Sequence, residues 1–465
     1  MFKNCIWMLV TLGWICSIQA TEAPDESDFT LTNLSVTAVP ESVPILKHAL
    51  LPRASDQKTG NAALFYYGAV GLMPNMDDEL SETFRQWRQQ PADKLPRKEV
   101  EAFLATFEKS FGHMRLASLR DHCDWESPVE AGYDFELPSL SAFRQLARAM
   151  ALKIRLDLAD RDLDAALEDA RHVLAMARNL AAGPTVIQDL VGMSIANSAL
   201  RELIAWPQDT RAPNLYWALS ALPTPFIDIR PSMEMEMDLM FREFPDLRDL
   251  ERETLSVEQA NTLAATILTK IGLASENNTL QALAPATWAI LQYTDAQAFL
   301  RARQWTDERI KALPIAQVVL IYQLQQYVDN RDRTVCWLFL PYAEAYAHQK
   351  EADQARSKLY GGGAKRNVFA YFMPSLYRIS FVQTRLDRDI AMLRIVEALR
   401  MEAAHNQGRL PKSLSDITRV PIPDNPLTGK PFIYHCLDHH HARLEAPLHP
   451  EEFRNRPVFE LTLQP

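Results

Sequence analysis

Between Phe143 and Leu203 the apolar residues recur at three-and-four spacing, and this is the feature that most constrains the chain. Phe143, Leu146, Ala147, Met150, Ile154 and Leu158 form one stripe, and Leu163, Ala166, Leu167, Ala170, Val173, Leu174, Ala177 and Leu180 form a second. A stripe of that period is buried only when the backbone is helical, so each segment is an amphipathic helix seeking a partner. The polar break ADRD separates the two, and Asp164, Glu168, Arg171, His172 and Arg178 are assigned to the wet face. Gly183-Pro184 supplies a stop and a start, and a third stripe (Ile187, Leu190, Val191, Ile195, Leu203) ends at Trp206-Pro207. Connections this short make the helices antiparallel neighbours.

Composition agrees. Glycine numbers 14 in 465 residues, where average usage would give about 33, which disfavours folds built from many tight turns or glycine-lined phosphate loops. Proline, at 29, falls mostly between periodic segments. Further helices are expected near Asn61–Leu72, Lys98–Leu119, Pro231–Phe244, Val257–Ile271, Ile315–Val328, Thr334–Lys358 and Val382–Asn406, with proline-rich joints such as ALPTPFIDIRP between them. From Gly408 the texture changes. Five prolines occur from Pro411 to Pro431, and then three alternating segments, around Phe432–Leu437, Ala442–Ala446 and Val458–Leu463, read as a small antiparallel meander. The expected fold is mainly α, stacked helical hairpins in a solenoid-like or irregular bundle, with a C-terminal β meander.

The first residues read as a secretory signal: Lys3, a 14-residue apolar run from Cys5 to Ile18, then the acidic stretch TEAPDESD. The run is shorter than the roughly 20 residues a spanning helix needs, so cleavage after Ala20 or Ala23 is expected, with an uncleaved anchor as the alternative. The expected organisation is a signal peptide over 1–20, an extended or disordered lead-in over 21–56, a helical domain over 57–407 with an optional joint near 207–231, and the proline-rich loop and meander over 408–465. Location is then periplasmic or extracellular. The net charge of -10 opposes nucleic acid and anionic lipid. After signal removal Cys123, Cys336 and Cys436 remain, either with one pair bridged or as three small buried hydrophobes.

The run ADRDLDAALEDARHVLAMARNLAAGP resembles the second half of a tetratricopeptide repeat, one loose copy with small residues at the helix crossing. In the tail, G-R-L-P-x-S-L followed by D-N-P-L-T-G-K-P-F-I-Y resembles the C-terminus of many exported bacterial proteins and, distantly, pseudopilin heads. With N-A-A-L-F-Y (61–66), C-D-W (123–125) and the helical pair at 143–181, the chain is similar to a group of large uncharacterised exported helical proteins, a likeness that implies no activity. Unlike pseudopilins it carries neither a pilin-type cleavage signal nor a long apolar stem helix.

Chemistry is concentrated in few places. HCLDHHH packs four histidines, a cysteine and an aspartate between His435 and His441. Zinc needs three or four ligands converging on one point, whereas strand alternation parts His435 from Cys436 and a turn lets at most two of the three consecutive imidazoles meet. The segment His122-Cys123-Asp124 is the similarly rich second spot. No metal or cofactor is expected, and the histidines read as solvated turn residues. Glu234 and Asp238 in MEMEMDLMFREF lie four apart on a helix and could act as an acid/base pair; the plainer reading is a wet face opposite a core stripe of Met233, Met237, Met240 and Phe241. Tyr66, Tyr67 and Trp125 could stack sugars or fill a core. Gly361-Gly362-Gly363 lacks the Lys-Ser/Thr of a phosphate loop. No nucleophile elbow or zinc-protease motif occurs. The sequence therefore favours an envelope scaffold or interaction module with a protein or peptide partner, and no catalytic residue is assigned; a hydrolase using Glu234 and Asp238 is the alternative.

Overall fold

The computed structural model of the chain describes residues 29–273, 284–360, 366–373, 375–452 and 456–464. The signal-like segment over 1–20 and Gly361-Gly362-Gly363 lie outside the described residues. The chain is 61% helical, against about a third in ordinary globular domains, so the expected mainly-α class holds. In chain order come β1 (Phe29–Thr37), β2 (Lys58–Asn61), α1 (Ala62–Gly71), α2 (Asp78–Gln89), α3 (Arg97–Ala105), α4 (Glu108–Ser118) and β3 (Arg120–His122). They are followed by α5 (Leu140–Ala159), α6 (Leu163–Ala181), α7 (Val186–Leu203), α8 (Tyr216–Ser220), α9 (Arg230–Glu243), α10 (Val257–Lys270) and α11 (Ala284–Ala302). Last are α12 (Asp307–Ala312), α13 (Ile315–Val335), α14 (Tyr342–Tyr360), α15 (Leu376–His405), β4 (Ile433–Cys436), β5 (His441–Glu445) and β6 (Arg456–Gln464). No helix among the described residues is long and apolar enough to cross a membrane.

These elements form two compact units. The smaller comprises Pro128–Phe135 and Met233–Ser380, and the larger comprises the described residues of Gln19–Ser127, Glu136–Ser232 and Phe381–Pro465.

In the larger unit α5, α6 and α7 pack as the stripes require, with Phe143, Met150, Val173, Leu174, Met193 and Ile195 almost completely buried. Asp162 caps α6 by accepting from the Ala165 N–H, and Thr185 with Gln188 forms a capping box at the start of α7. The α6–α7 crossing is tight. A Cβ added to Gly192 would lie 2.6 Å from the Ala177 carbonyl oxygen, so the position admits no side chain without movement. His172 departs from expectation: it is 3% exposed, not on the wet face, because α4 covers that side of α6.

The C-terminal sheet has four strands, in the order β1-β6-β5-β4. The three expected strands are present as antiparallel pairs, with Cys436 opposite Ala442 and Ala442 opposite Leu461. The fourth strand comes from the opening segment: β1 runs parallel to β6, from Phe29 opposite Arg456 to Thr37 opposite Gln464. Alternation in β1 sends Leu34 and Val36 into a core shared with Ile395, Val396 and Leu399 of α15 and Leu461 and Leu463 of β6. Beneath it Arg400, with no exposed surface, donates to the Thr37 and Ala212 carbonyls (3.1 and 2.8 Å) and to both oxygens of Glu397 (2.9 Å each).

In the smaller unit α13 is the central helix. Val318, Val319, Leu320, Ile321, Leu324 and Tyr327 pack against Ile267 of α10, Ala296 and Leu300 of α11, and Phe369. α13 continues to Val335, past the expected end at Val328, and a short 3-10 turn over Cys336–Phe339 separates it from α14.

Candidate functional site

The histidine cluster sits on the β4–β5 turn of the larger unit, and His435, His439, His440 and His441 are all exposed. Its geometry is that of a closed turn. The Leu437 N–H donates to the His441 carbonyl (2.8 Å), while Asp438 Oδ1 accepts from the backbone N–H of His440 (2.7 Å) and of His441 (2.9 Å). His441 Nδ1 lies 2.8 Å from Asp438 Oδ2. Those backbone donors, and then the His441 ring, hold the Asp438 carboxyl at about 2. The carbonyls of His439 and His440 accept from Leu410 and Leu463 (2.9 and 2.7 Å), which ties the turn to the proline-rich loop and to β6. Among the described residues no three His, Cys, Asp or Glu side chains converge so as to hold a metal ion.

The second rich spot, His122-Cys123-Asp124, follows β3. Asn61 accepts from the Ala63 N–H (3.0 Å) to cap α1, and its amide exchanges two hydrogen bonds with the Asp124 backbone (2.7 and 2.9 Å). The motifs N-A-A-L-F-Y and C-D-W are thus one local structure. Burial, and then the neighbouring Asp124 carboxylate, push the Cys123 thiol up to about 12, so it is protonated and unreactive at neutral pH. Cys123, Cys336 and Cys436 are all free, and Cys336 is exposed on the surface, unlike a small buried hydrophobe. Tyr66 and Trp125 stack at 6.0 Å, with 0% and 6% exposure, and the Trp125 indole donates to the Asn179 carbonyl (2.8 Å). They are core aromatics; Tyr67 alone of the three reaches the surface, at 44%.

The pair Glu234 and Asp238 is brought to one side of α9 but not to one task. Glu234 is exposed. Asp238 accepts from Arg242 Nε and Arg248 Nη2, each at 2.7 Å. Partial burial works to raise its carboxyl, and the two guanidiniums overcome that, holding it below the ordinary carboxylate range. A carboxylate so clamped is a poor proton donor. On the opposite face Glu236 is 6% exposed and shares with Tyr327, Arg331 and Phe372 a cavity too small to admit a water molecule.

One cluster that the sequence does not announce lies where α4 meets α6. The Ser118 hydroxyl is 2.6 Å from His172 Nδ1, and Glu168 is 3.6 Å from Nε2. Beside them Asp169 binds Arg115 (3.1 Å) and Lys153 (2.9 Å). The Ser-His-Glu order imitates a hydrolytic triad, yet Ser118 is 3% exposed and its Oγ also lies 2.8 Å from the Arg115 carbonyl, with no approach for a substrate. Burial lowers the His172 pKa against the pull of Asp169 and Glu168, keeping the ring neutral at pH 7. These partners are 54 residues apart, and their only sequence signal is a polar residue on an otherwise apolar helix face.

The open concave surfaces belong to the smaller unit. One cleft of about 510 Å³ lies between α13 and α14, lined by Asn330, Arg333, Cys336, Trp337, His348 and Glu351 among others. Trp337 stacks flat on His348, with centroids 4.0 Å apart and planes inclined by 8°. A second cleft, also about 510 Å³, opens on α13 where α12 and the α9–α10 connection approach. Asp329 lines both. Comparison with family models, with curated proteins and with solved structures finds no match.

Proposed function

We propose that the protein is an exported scaffold or protein-interaction module of the cell envelope that works without a cofactor. The observation that carries this reading is the pair of open clefts meeting at Asp329 on α13. Together they offer a groove across a helical hairpin, the kind of surface on which extended partner segments are held. Small substrates are instead usually enclosed over most of their surface. Of the groups that could serve a hydrolase, Asp238 is clamped by two arginines, and Ser118 and His172 are sealed from solvent. Export rests on the opening sequence and on the resemblance of the tail to exported bacterial proteins.

The test is crosslinking of the purified protein in an envelope extract, beside assays on a glycosidase and peptidase panel. A scaffold yields a discrete, saturable crosslinked partner that is lost when Val328, which lines the second cleft, is changed to Asp. Robust turnover abolished by Glu234→Gln would replace this reading with a hydrolase.

A further inference from the structure

The α12-side cleft is distinguished by its arginines. Arg248, Arg252, Arg303 and Arg309 line it against two carboxylates, Glu251 and Asp329, in a chain whose net charge is -10. Three of these guanidiniums lie over aromatic rings. Arg309 is 3.4 Å from the Trp305 centroid, Arg303 is 4.4 Å from Phe299, and Arg248 is 5.6 Å from Phe241. Stacking of this kind fixes the plane of the guanidinium while leaving its N–H edges available, so less freedom is lost when an anion binds.

The four differ in how far they are already neutralised. Arg303 is paired with Asp329 and Arg248 with Asp238. Arg252 reaches Asp249 only at 3.6 Å and is 84% exposed. Arg309 spends one N–H on the Glu251 carbonyl (3.0 Å) and has no carboxylate partner among the described residues. Glu251 is itself engaged by the Gln325 amide (2.9 Å). Arg309 and Arg252 are therefore the cations with capacity to spare. Between the charged walls the part-buried Phe241 and Val328 give an apolar floor, backed by the core residues Leu247 and Leu324.

We propose that this cleft recognises an acidic peptide segment in which Asp or Glu side chains flank an apolar residue. The carboxylates engage Arg309 and Arg252, and the apolar side chain rests on Phe241 and Val328. Guanidinium binds carboxylate through two parallel hydrogen bonds, the geometry that a stacked, planar Arg309 presents. The open trough suits a chain that enters and leaves rather than an enclosed metabolite. The inference rests on the interaction-module reading and specifies the chemistry of its partner.

Fluorescence anisotropy with a labelled synthetic peptide of Glu-Asp pairs separated by leucines tests it on the full-length protein. Binding should saturate and should weaken steeply between about 50 and 200 mM salt. Arg252→Gln with Arg309→Gln should weaken it about tenfold, at an unchanged melting temperature, and the single Arg252→Gln should give part of that loss without touching the Trp305 stack. A peptide with lysines in place of the acids should not bind. Absence of saturation, or an unchanged affinity in the double variant, overturns the proposal. So does displacement by citrate or inorganic phosphate at lower concentration than by unlabelled peptide, which would assign the cleft to a free anion. If the double variant still captures its crosslinked partner in extract, the cleft assignment falls while the interaction-module reading stands.

Discussion

Arg400 offers the sharpest test of how the larger unit is held together. Its guanidinium is fully buried and spans Glu397 on its own helix, the end of β1 through Thr37, and the segment before α8 through Ala212. Arg400→Met keeps an unbranched apolar stem but strands Glu397. Breaking a buried pair by removing one partner costs about 3 to 5 kcal/mol, and the orphaned Thr37 and Ala212 carbonyls add about 1 kcal/mol each. The expected loss is therefore about 5 kcal/mol or more, measured by urea denaturation.

Two further outcomes separate charge from packing. Burial pushes the Glu397 carboxyl up, and the Arg400 charge pulls it back. With its folded value raised, the native state holds the proton more tightly than the unfolded chain. Stability then falls as pH rises from the ordinary carboxylate range through the raised folded value. Without Arg400 the raise is larger, so the variant should lose more at about pH 8 than at about pH 5. Glu397→Gln added to Arg400→Met removes the stranded charge while Gln can still accept from the Leu215 N–H, and should recover at least about 2 kcal/mol. A loss independent of pH, or a double variant no more stable than the single, would refute the reasoning.

Four other outcomes follow from the same structure. Asp387 is pushed up to about 7 by burial, opposed only by the Phe226 N–H; the charged form is disfavoured in the fold, so stability should decline from about pH 4 to pH 7, and Asp387→Asn should flatten that slope and raise stability at about pH 8 by at most about 4 kcal/mol. Gly192→Val should destabilise by about 1 to 3 kcal/mol or more in thermal unfolding, because the side chain meets the Ala177 carbonyl. His439→Ala with His441→Ala should leave the melting temperature unchanged with or without chelator, since both rings are exposed; a fall of several degrees reproduced by chelator would reveal a metal. Cys336 should be alkylated readily in the folded protein and Cys123 only slowly, read by mass spectrometry of the labelled peptides.

What was legible in the sequence was whatever one amphipathic period could express. The stripes of α5, α6 and α7 appear with their caps because each helix buries a single continuous face. α2 has no clear stripe in the sequence, because Phe84 and Trp87 are its only buried residues in an otherwise charged segment. The long run read from Thr334 to Lys358 divides, because Thr334 and Val335 finish α13 and α14 begins only at Tyr342. Nothing in the sequence marks β1 as part of the C-terminal sheet, since FTLTNLSVT alternates only weakly and pairs with a strand more than 400 residues away. Among the polar residues the conspicuous ones, His435 to His441, proved local. The clusters assembled over distance, Ser118 with His172 and Arg252 with Arg309 at the cleft, gave no pattern, because their spacing is set by helix packing rather than by any period.

The parallel pairing of β1 with β6 has a consequence for how the chain is made. β1 leaves the ribosome before residues 456–464 and must wait for them before its neighbour in the sheet exists. Until then Leu34 and Val36 and a row of backbone donors and acceptors have no native mate, which is the condition under which one chain adds a strand to another. A message cut short anywhere upstream of Arg456 leaves that side of β1 adhesive, and only residues 456–464 close it.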